Sequence, residues 1–380
     1  MATVARQEGR SSHWKWVGAL GVLCGLLILS FYSVVAGWTL EYFRLALAGE
    51  LNGLTTESAV ALLEGSNGLL ASGRDQLIWH SVFMIITILI ISQGVNKGLE
   101  LAVKTLMPVL FVLLIGLAVF AATLPGASEG WNYLLNPDFS SINGGVVLAA
   151  MGQAFFSLSL GMGALMAYGA YLPKNISIPR TAGFVALIDT SVALLAGLAL
   201  FPIIFSFGLE PGRGPGLVFV TLPLAFSQAE FGQWLAALFF LLLFIAALTS
   251  ALSLLEPATA WLVEKTGMQR FDIALLLGLV VWLLGVPSAL SYNVLSEVLI
   301  FGKPILDNVD RLTTNFMLPL GGMLIAIFVG WRISLHSLQQ ELAGFGGKLF
   351  VAWLWLLRIL APLAIGMVFL QAIGVFGKAG

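Results

Sequence analysis

The sequence predicts an all-α membrane protein of about nine spanning helices, on three observations. Of its 380 residues, 59% are hydrophobic and only 10% are charged, where a soluble domain holds roughly 45–50% apolar and about 25% charged residues. Apolar runs long enough to cross a bilayer, which takes about 20 helical residues, recur from one end to the other. Most of these runs carry no charge at all; Asp189 and Arg358 are the clear exceptions.

The runs fall at about 16–40, 77–96, 105–124, 145–172, 181–209, 231–255, 273–293, 312–331 and 349–377. The first exceeds the core of a cleavable signal and lacks a short small-residue cleavage site, so it reads as a span. Arg6, Arg10 and Lys15 precede it; Lys97 and Lys104 lie between the second and third runs, and Lys174 and Arg180 between the fourth and fifth. The alternate connections are poorer in cations: 41–76 holds Glu41, Glu50, Glu57, Glu64 and Asp75 against Arg44 and Arg74, and 125–144 holds only Glu129 and Asp138. Cationic loops stay in the cytoplasm, so the N-terminus is expected inside and, after an odd number of spans, the C-terminus outside. The stretch 210–230 is apolar but short, with Pro211, Pro215 and Pro223. It is expected to fold back rather than cross.

Several function classes drop out. A net charge of −1 offers no basic surface, so no nucleic-acid partner is expected. Cys24 is the only cysteine, which excludes an intrachain disulfide or a cysteine-rich metal site. His13, His80 and His336 are far apart and give no metal-ligand spacing. An intramembrane enzyme has no nucleophile–base pair or metal cluster to work with, and no organic cofactor is expected.

Polar groups inside the hydrocarbon carry the functional signal. The fourth run places Gln153, Ser157 and Ser159 at mid-span and then Gly161 and Gly163, which destabilise helix. Backbone that leaves the helix at membrane depth must line a cavity or be buried in protein, and glycine-interrupted spans point to a transporter's binding site. Small residues that simply let helices pack closely would read the same way. In the sixth run, Thr249 and Ser250 either bond back to carbonyls one turn earlier or offer hard oxygen ligands to a small cation. Asp189, about eight residues into the fifth run, is a functional candidate by the cost of ionising it there. Arg358 is expected to snorkel or to pair structurally.

The stretch Gly152-Gln153-Ala154-Phe155-Phe156-Ser157-Leu158-Ser159-Leu160-Gly161-Met162-Gly163 resembles the unwound sixth helix of the neurotransmitter:sodium symporter family. Ile28-Leu29-Ser30-Phe31-Tyr32-Ser33-Val34-Val35-Ala36-Gly37-Trp38 resembles the family's third helix, and Gly214-Pro215-Gly216-Leu217-Val218-Phe219 its folded-back extracellular loop. Ala247-Leu248-Thr249-Ser250 with Glu256-Pro257 resembles helix eight, and Leu318-Pro319-Leu320-Gly321-Gly322 helix ten. The matches are collinear from about residue 10 to the end.

The resemblance implies a bacterial sodium-dependent amino-acid transporter, multi-pass in the inner (plasma) membrane, that couples sodium ions to an amino acid or related small molecule by alternating access. A homodimer is compatible with it. Tyr32 falls where a hydroxyl holds the substrate carboxylate, and Phe156 where an aromatic lid covers the substrate. Ser159, Met162, Ser250 and Leu254 would line the side-chain pocket. Ser157 and Asp189 resemble ligands of the first sodium site; Ala246 (through its carbonyl), Thr249 and Ser250 resemble those of the second. Asp189 replaces the family's commoner asparagine, so its carboxylate is expected to supply the negative charge that chloride supplies in animal members. Asp310 resembles the acid of the extracellular gate. Glu264 sits where a cytoplasmic gate acid, usually aspartate, is expected.

The family's fold is a LeuT-type inverted repeat. By resemblance, 1–142 corresponds to helices three to five with the following extracellular loop, 143–331 to helices six to ten, and 332–380 to helix eleven. The Gly-Asn-x-Trp-Arg-Phe-Pro signature of the first helix is absent. The expectation is therefore a partial fold lacking the family's first two helices, in a chain whose coupled transport is impaired. The alternative is a nontransporting membrane remnant or assembly partner descended from such a symporter.

Overall fold

The computed structural model describes residues 1–171, 176–212, 214–342 and 346–372, and within them the chain is helical. After a short helix, Ala2–Gln7, the spans are α1 (Lys15–Leu47), α2 (Gly73–Ser92) and α3 (Leu101–Ala122). Next come α4 (Gly144–Ser157), α5 (Ala164–Tyr171) and α6 (Ile178–Ser206). Then follow α7 (Leu222–Gln228), α8 (Gly232–Thr266) and α9 (Arg270–Ala289). A helical lead-in over Ile305–Arg311 and Leu312–Met317 enters α10 (Leu318–Arg332), and the last span runs through α11 (Lys348–Trp355) and a π-helical turn (Leu356–Leu360) into α12 (Ala361–Ala372).

α1 and α8 pack along each other and form the centre. Both are apolar nearly all round, as a helix buried within a bundle must be. The hydroxyls of α1 satisfy themselves locally: Ser30 donates to the Leu27 carbonyl, Ser33 to Leu29 and Thr39 to Ala36. Such back-bonding lets a polar side chain sit in an apolar interior without an unpaired donor. α2 and α9 flank this centre, α3 packs against α8, and α6 packs against α3. The α4 and α6 faces are open: α4 has no buried residue, and α6 buries only Ala199, Pro202, Ile203 and Ile204.

Among the described residues, eight helices are long and apolar enough to cross a membrane. The run 145–172 is not a ninth continuous span. It divides into α4 and α5 because three residues between them take positive φ: Ser159 at 56°, Gly161 at 88° and Gly163 at 82°. The stretch 210–230 holds only the short apolar helix Leu217–Gln228. Aromatic rings tie it to the centre: Phe219 stands 5.6 Å from Trp38, 5.1 Å from Tyr42 and 6.0 Å from Phe240. The run ending at 255 continues through Pro257 to Thr266, so Glu256 lies inside a span rather than beyond it. Lys174 and the distal ends of the runs 145–172 and 349–377 lie outside the described residues.

The N-terminal segment clasps the end of α10. Arg10 Nε donates to the Arg332 carbonyl at 3.1 Å, and Ser334 N donates to the Glu8 carboxylate at 2.9 Å. The rings of Trp14 and Phe328 lie 4.9 Å apart.

Candidate functional site

The segment between α4 and α5 is gripped backbone to backbone. A Cβ on Gly21 of α1 would stand 3.1 Å from both the Gly161 oxygen and the Gly163 nitrogen. On the other side, a Cβ on Gly321 of α10 would stand 2.7 Å from the Gly161 oxygen. Glycine at these points allows two helices to close on an unwound strand that has no intrahelical partners of its own.

Beside this break opens a cavity of about 510 Å³. Ile28 and Tyr32 reach it from α1, Phe156 and Ser157 from α4, Ser159 and Met162 from the break, and Tyr168 from α5. Thr249, Ser250, Ser253 and Leu254 close it from α8, while Leu99, Glu100, Val103 and Met107 line the α3 side. All six substrate-contact candidates, Tyr32, Phe156, Ser159, Met162, Ser250 and Leu254, thus open onto one space. Phe156 also lines a second cavity, of about 430 Å³, which holds Gln153, Asp310 and Thr314. The ring therefore stands between the two.

The cation-ligand candidates form two groups. Ser157 Oγ donates to the Asp189 carboxylate at 3.1 Å, across 32 positions of sequence. On α8, Thr249 Oγ1 donates to the Ala246 carbonyl at 2.9 Å, and Ser250 faces the cavity. Ser157, Thr249 and Ser250 line the cavity, whereas Asp189 and Ala246 do not. Every one of these donors is a hydroxyl, carbonyl or carboxylate oxygen, the chemistry that suits a hard cation.

The gate candidates are far less engaged. Asp310 accepts from Thr314 Oγ1 at 2.9 Å, and Glu264 is exposed at the end of α8. Among the described residues neither has an ion-pair partner. Arg270 pairs instead with the fully buried Glu256, about two turns deeper in α8 than Glu264, and also donates Nε to the Ile91 carbonyl at 2.8 Å.

Two features, one in the cavity and one in the interior beyond it, were given no role from sequence. Tyr168 donates its hydroxyl to Ser253 at 2.7 Å, and Ser253 donates to the Thr249 carbonyl at 3.1 Å. The signal available was spacing: Thr249 and Ser253 are four apart and share one helix face. For Glu256 the signal was an ionisable group within a continuous 35-residue helix.

The model of the sodium:neurotransmitter symporter family matches residues 61–379. The chain is 40% identical to an uncharacterized sodium-dependent transporter, YhdH, of Bacillus subtilis (strain 168), over 97% of this chain and 82% of that one. It is 35% identical to an uncharacterized sodium-dependent transporter of Haemophilus influenzae, over 96% of this chain and 80% of that one. Among solved structures it resembles MhsT in complex with L-phenylalanine, with 45% identity and a TM-score of 0.85, covering 94% of this chain and 81% of MhsT. The broken span with a cavity beside it, the family match and these long alignments agree, and the chain belongs to the sodium:neurotransmitter symporter family.

Proposed function

We propose that the chain serves sodium-coupled symport of an amino acid or a closely related small molecule across a bacterial inner membrane. The observation that carries this reading is the single cavity at the helix break, onto which Tyr32, Phe156, Ser159, Met162, Ser250 and Leu254 all open. Its volume suits a small organic solute. The Tyr32 hydroxyl would donate to the substrate carboxylate, a charge-assisted bond in a low-dielectric site. Met162 and Leu254 would hold an apolar side chain, and Phe156 would close the space toward Asp310. The relative solved with L-phenylalanine supports an amino-acid substrate.

Sodium would enter through oxygen ligands: Ser157 with Asp189 at one site, and the Ala246 carbonyl with Thr249 and Ser250 at the other. Ser157 and Ser250 face the cavity, so a cation held by them would raise the affinity for a carboxylate beside it. That reciprocal gain is what couples the two solutes. The sodium-dependent names of the Bacillus and Haemophilus relatives support the choice of ion. The cation-rich loops at 1–15 and 97–104 support a cytoplasmic N-terminus.

One observation favours a second reading, a membrane partner that does not transport by itself. The α4 and α6 faces that carry Ser157 and Asp189 are uncovered, which leaves the first cation group one-sided. Proteoliposomes bearing the 380-residue chain separate the readings. Uptake of labelled L-phenylalanine or L-leucine that vanishes when choline replaces external sodium supports symport by this chain. Sodium-dependent binding without uptake supports the partner reading, and neither binding nor uptake of any amino acid refutes the assignment of the cavity.

A further inference from the structure

Three exposed tryptophans each carry a cation over the ring. Lys15 lies 5.3 Å from the Trp16 centroid, Lys265 4.7 Å from that of Trp261, and Arg358 5.3 Å from that of Trp331. Trp16, Trp261 and Trp331 lie near the ends of spans on the side of the molecule that carries the N-terminal segment, and the exposed Trp355 lies one turn before Arg358 in the last span. Tryptophan collects where the bilayer meets water, so these rings mark a headgroup level.

Lys15 and Lys265 are exposed at helix ends, free to extend into water. Arg358 is different. It lies inside the last span, in the π-helical turn Leu356–Leu360, and is held from two sides. Its Nε donates to the Gly330 carbonyl at 2.5 Å, and Trp331 Nε1 donates back to the Arg358 carbonyl at 3.3 Å. Gly330 makes the approach feasible, since a Cβ there would stand 3.1 Å from Arg358 Cγ. Both terminal amino groups of the guanidinium are left without an acceptor among the described residues, and no carboxylate among them pairs with it. The group is not deep: Gly330 is two residues from Arg332, whose carbonyl binds Arg10, and a helix rises about 1.5 Å per residue. A fixed, half-buried cation at headgroup depth with four unused N–H donors is incomplete without an anion.

We propose that Arg358, Trp331 and Trp355 form a site for the phosphodiester headgroup of an anionic glycerophospholipid. The lipid belongs to the leaflet on the side of the N-terminus. The planar guanidinium fork matches two phosphate oxygens. The two exposed indoles flank it with apolar faces for the glycerol backbone and the first methylenes of the acyl chains. Among the described residues the site holds a cation and no carboxylate, so a headgroup with its own ammonium would find like charge and no partner where an anionic one would not. None of these three residues lines the cavity.

Native mass spectrometry of the detergent-solubilised full chain, titrated with phosphatidylglycerol or phosphatidylcholine, tests it. One phosphatidylglycerol per chain is expected to be retained. Retention should weaken by about tenfold or more in Arg358→Gln, and by a smaller factor in Trp355→Ala, whose exposed side chain leaves the fold alone. Lys265→Gln should bind as wild type does. Unfolding in lipid-free detergent checks that each variant is folded, and Trp355→Ala decides the matter if Arg358→Gln is not. Equal retention of phosphatidylcholine, unchanged retention in both site variants, or displacement of the lipid by excess inorganic phosphate would each overturn the proposal.

Discussion

Replacing Gly161 by alanine puts one methyl where the structure leaves no room. The added Cβ would overlap the Leu318 carbonyl oxygen and stand 3.0 Å from the Gly322 nitrogen. Both are backbone atoms of α10 and cannot rotate away as a side chain could. Gly161 also holds φ at 88°. A left-handed backbone costs a residue with a Cβ about 1–2 kcal/mol, and a methyl forced into close packing costs about 1–3 kcal/mol. Together they predict a loss of about 2–5 kcal/mol. Gly152→Ala is the matched control: it lies in α4 with nothing within 4 Å of the added Cβ. There alanine should stabilise by about 0.5–1 kcal/mol. Reversible unfolding in mild detergent, followed by tryptophan fluorescence, orders the three proteins. Amino-acid binding to the folded fraction shows whether the break has moved. A Gly161→Ala protein as stable as wild type would refute the reasoning that the break is clamped between α1 and α10.

Other perturbations read other parts of the molecule. Tyr32→Phe removes the proposed donor to the substrate carboxylate and should weaken amino-acid binding by about tenfold or more, measured by scintillation proximity with labelled substrate. Uptake should be sodium-dependent and insensitive to chloride, whereas Asp189→Asn, which keeps a partner for Ser157 but loses the charge, should bring chloride stimulation. Chloride stimulation of the wild type would count against that role. Arg270→Gln strands the buried Glu256 and should cost about 3–5 kcal/mol, while Glu264→Gln at an exposed site should stay within about 0.5 kcal/mol; chemical unfolding distinguishes them. The N-terminal clasp should be pH-sensitive. Hydrogen bonds from Ser337 and Ser334 hold the Glu8 carboxyl below its usual 4.5. Its contribution is therefore present above the ordinary glutamate range and is lost as pH falls through the lowered value. Hydrogen exchange over 334–338 should accelerate below that point in wild type and show no such step in Glu8→Gln.

The spans were legible because an uncharged run of bilayer length has few alternatives, and Gly161 and Gly163 showed where one of them would break. The pairing of Ser157 with Asp189 was not legible from spacing. It is a contact between two helices far apart in sequence, and only the family likeness suggested it. Glu256 was missed for a different reason. It was named only within the stretch that resembles helix eight and was given no role, because the apolar run ends at 255 and nothing local shows that the helix continues through Pro257 and carries Glu256 into the interior with Arg270. Glu264, which the resemblance suggested as a gate acid, is exposed at the end of α8. Tyr168 escaped because its partner Ser253 sits on another helix, and nothing in either local sequence announces the bond.

The glycine contacts around the break have a consequence for how this molecule can change. Because Gly21, Gly161 and Gly321 meet through main-chain atoms, the break beside the cavity is anchored by parts that every side-chain replacement elsewhere leaves in place. Ser159 and Met162 project from that break into the cavity like interchangeable fittings in a fixed socket. If the cavity takes the substrate as proposed, selectivity would drift by exchanging those two residues or Leu254, while the mounting stays true. A single added methyl in the mounting itself would disturb every fitting at once.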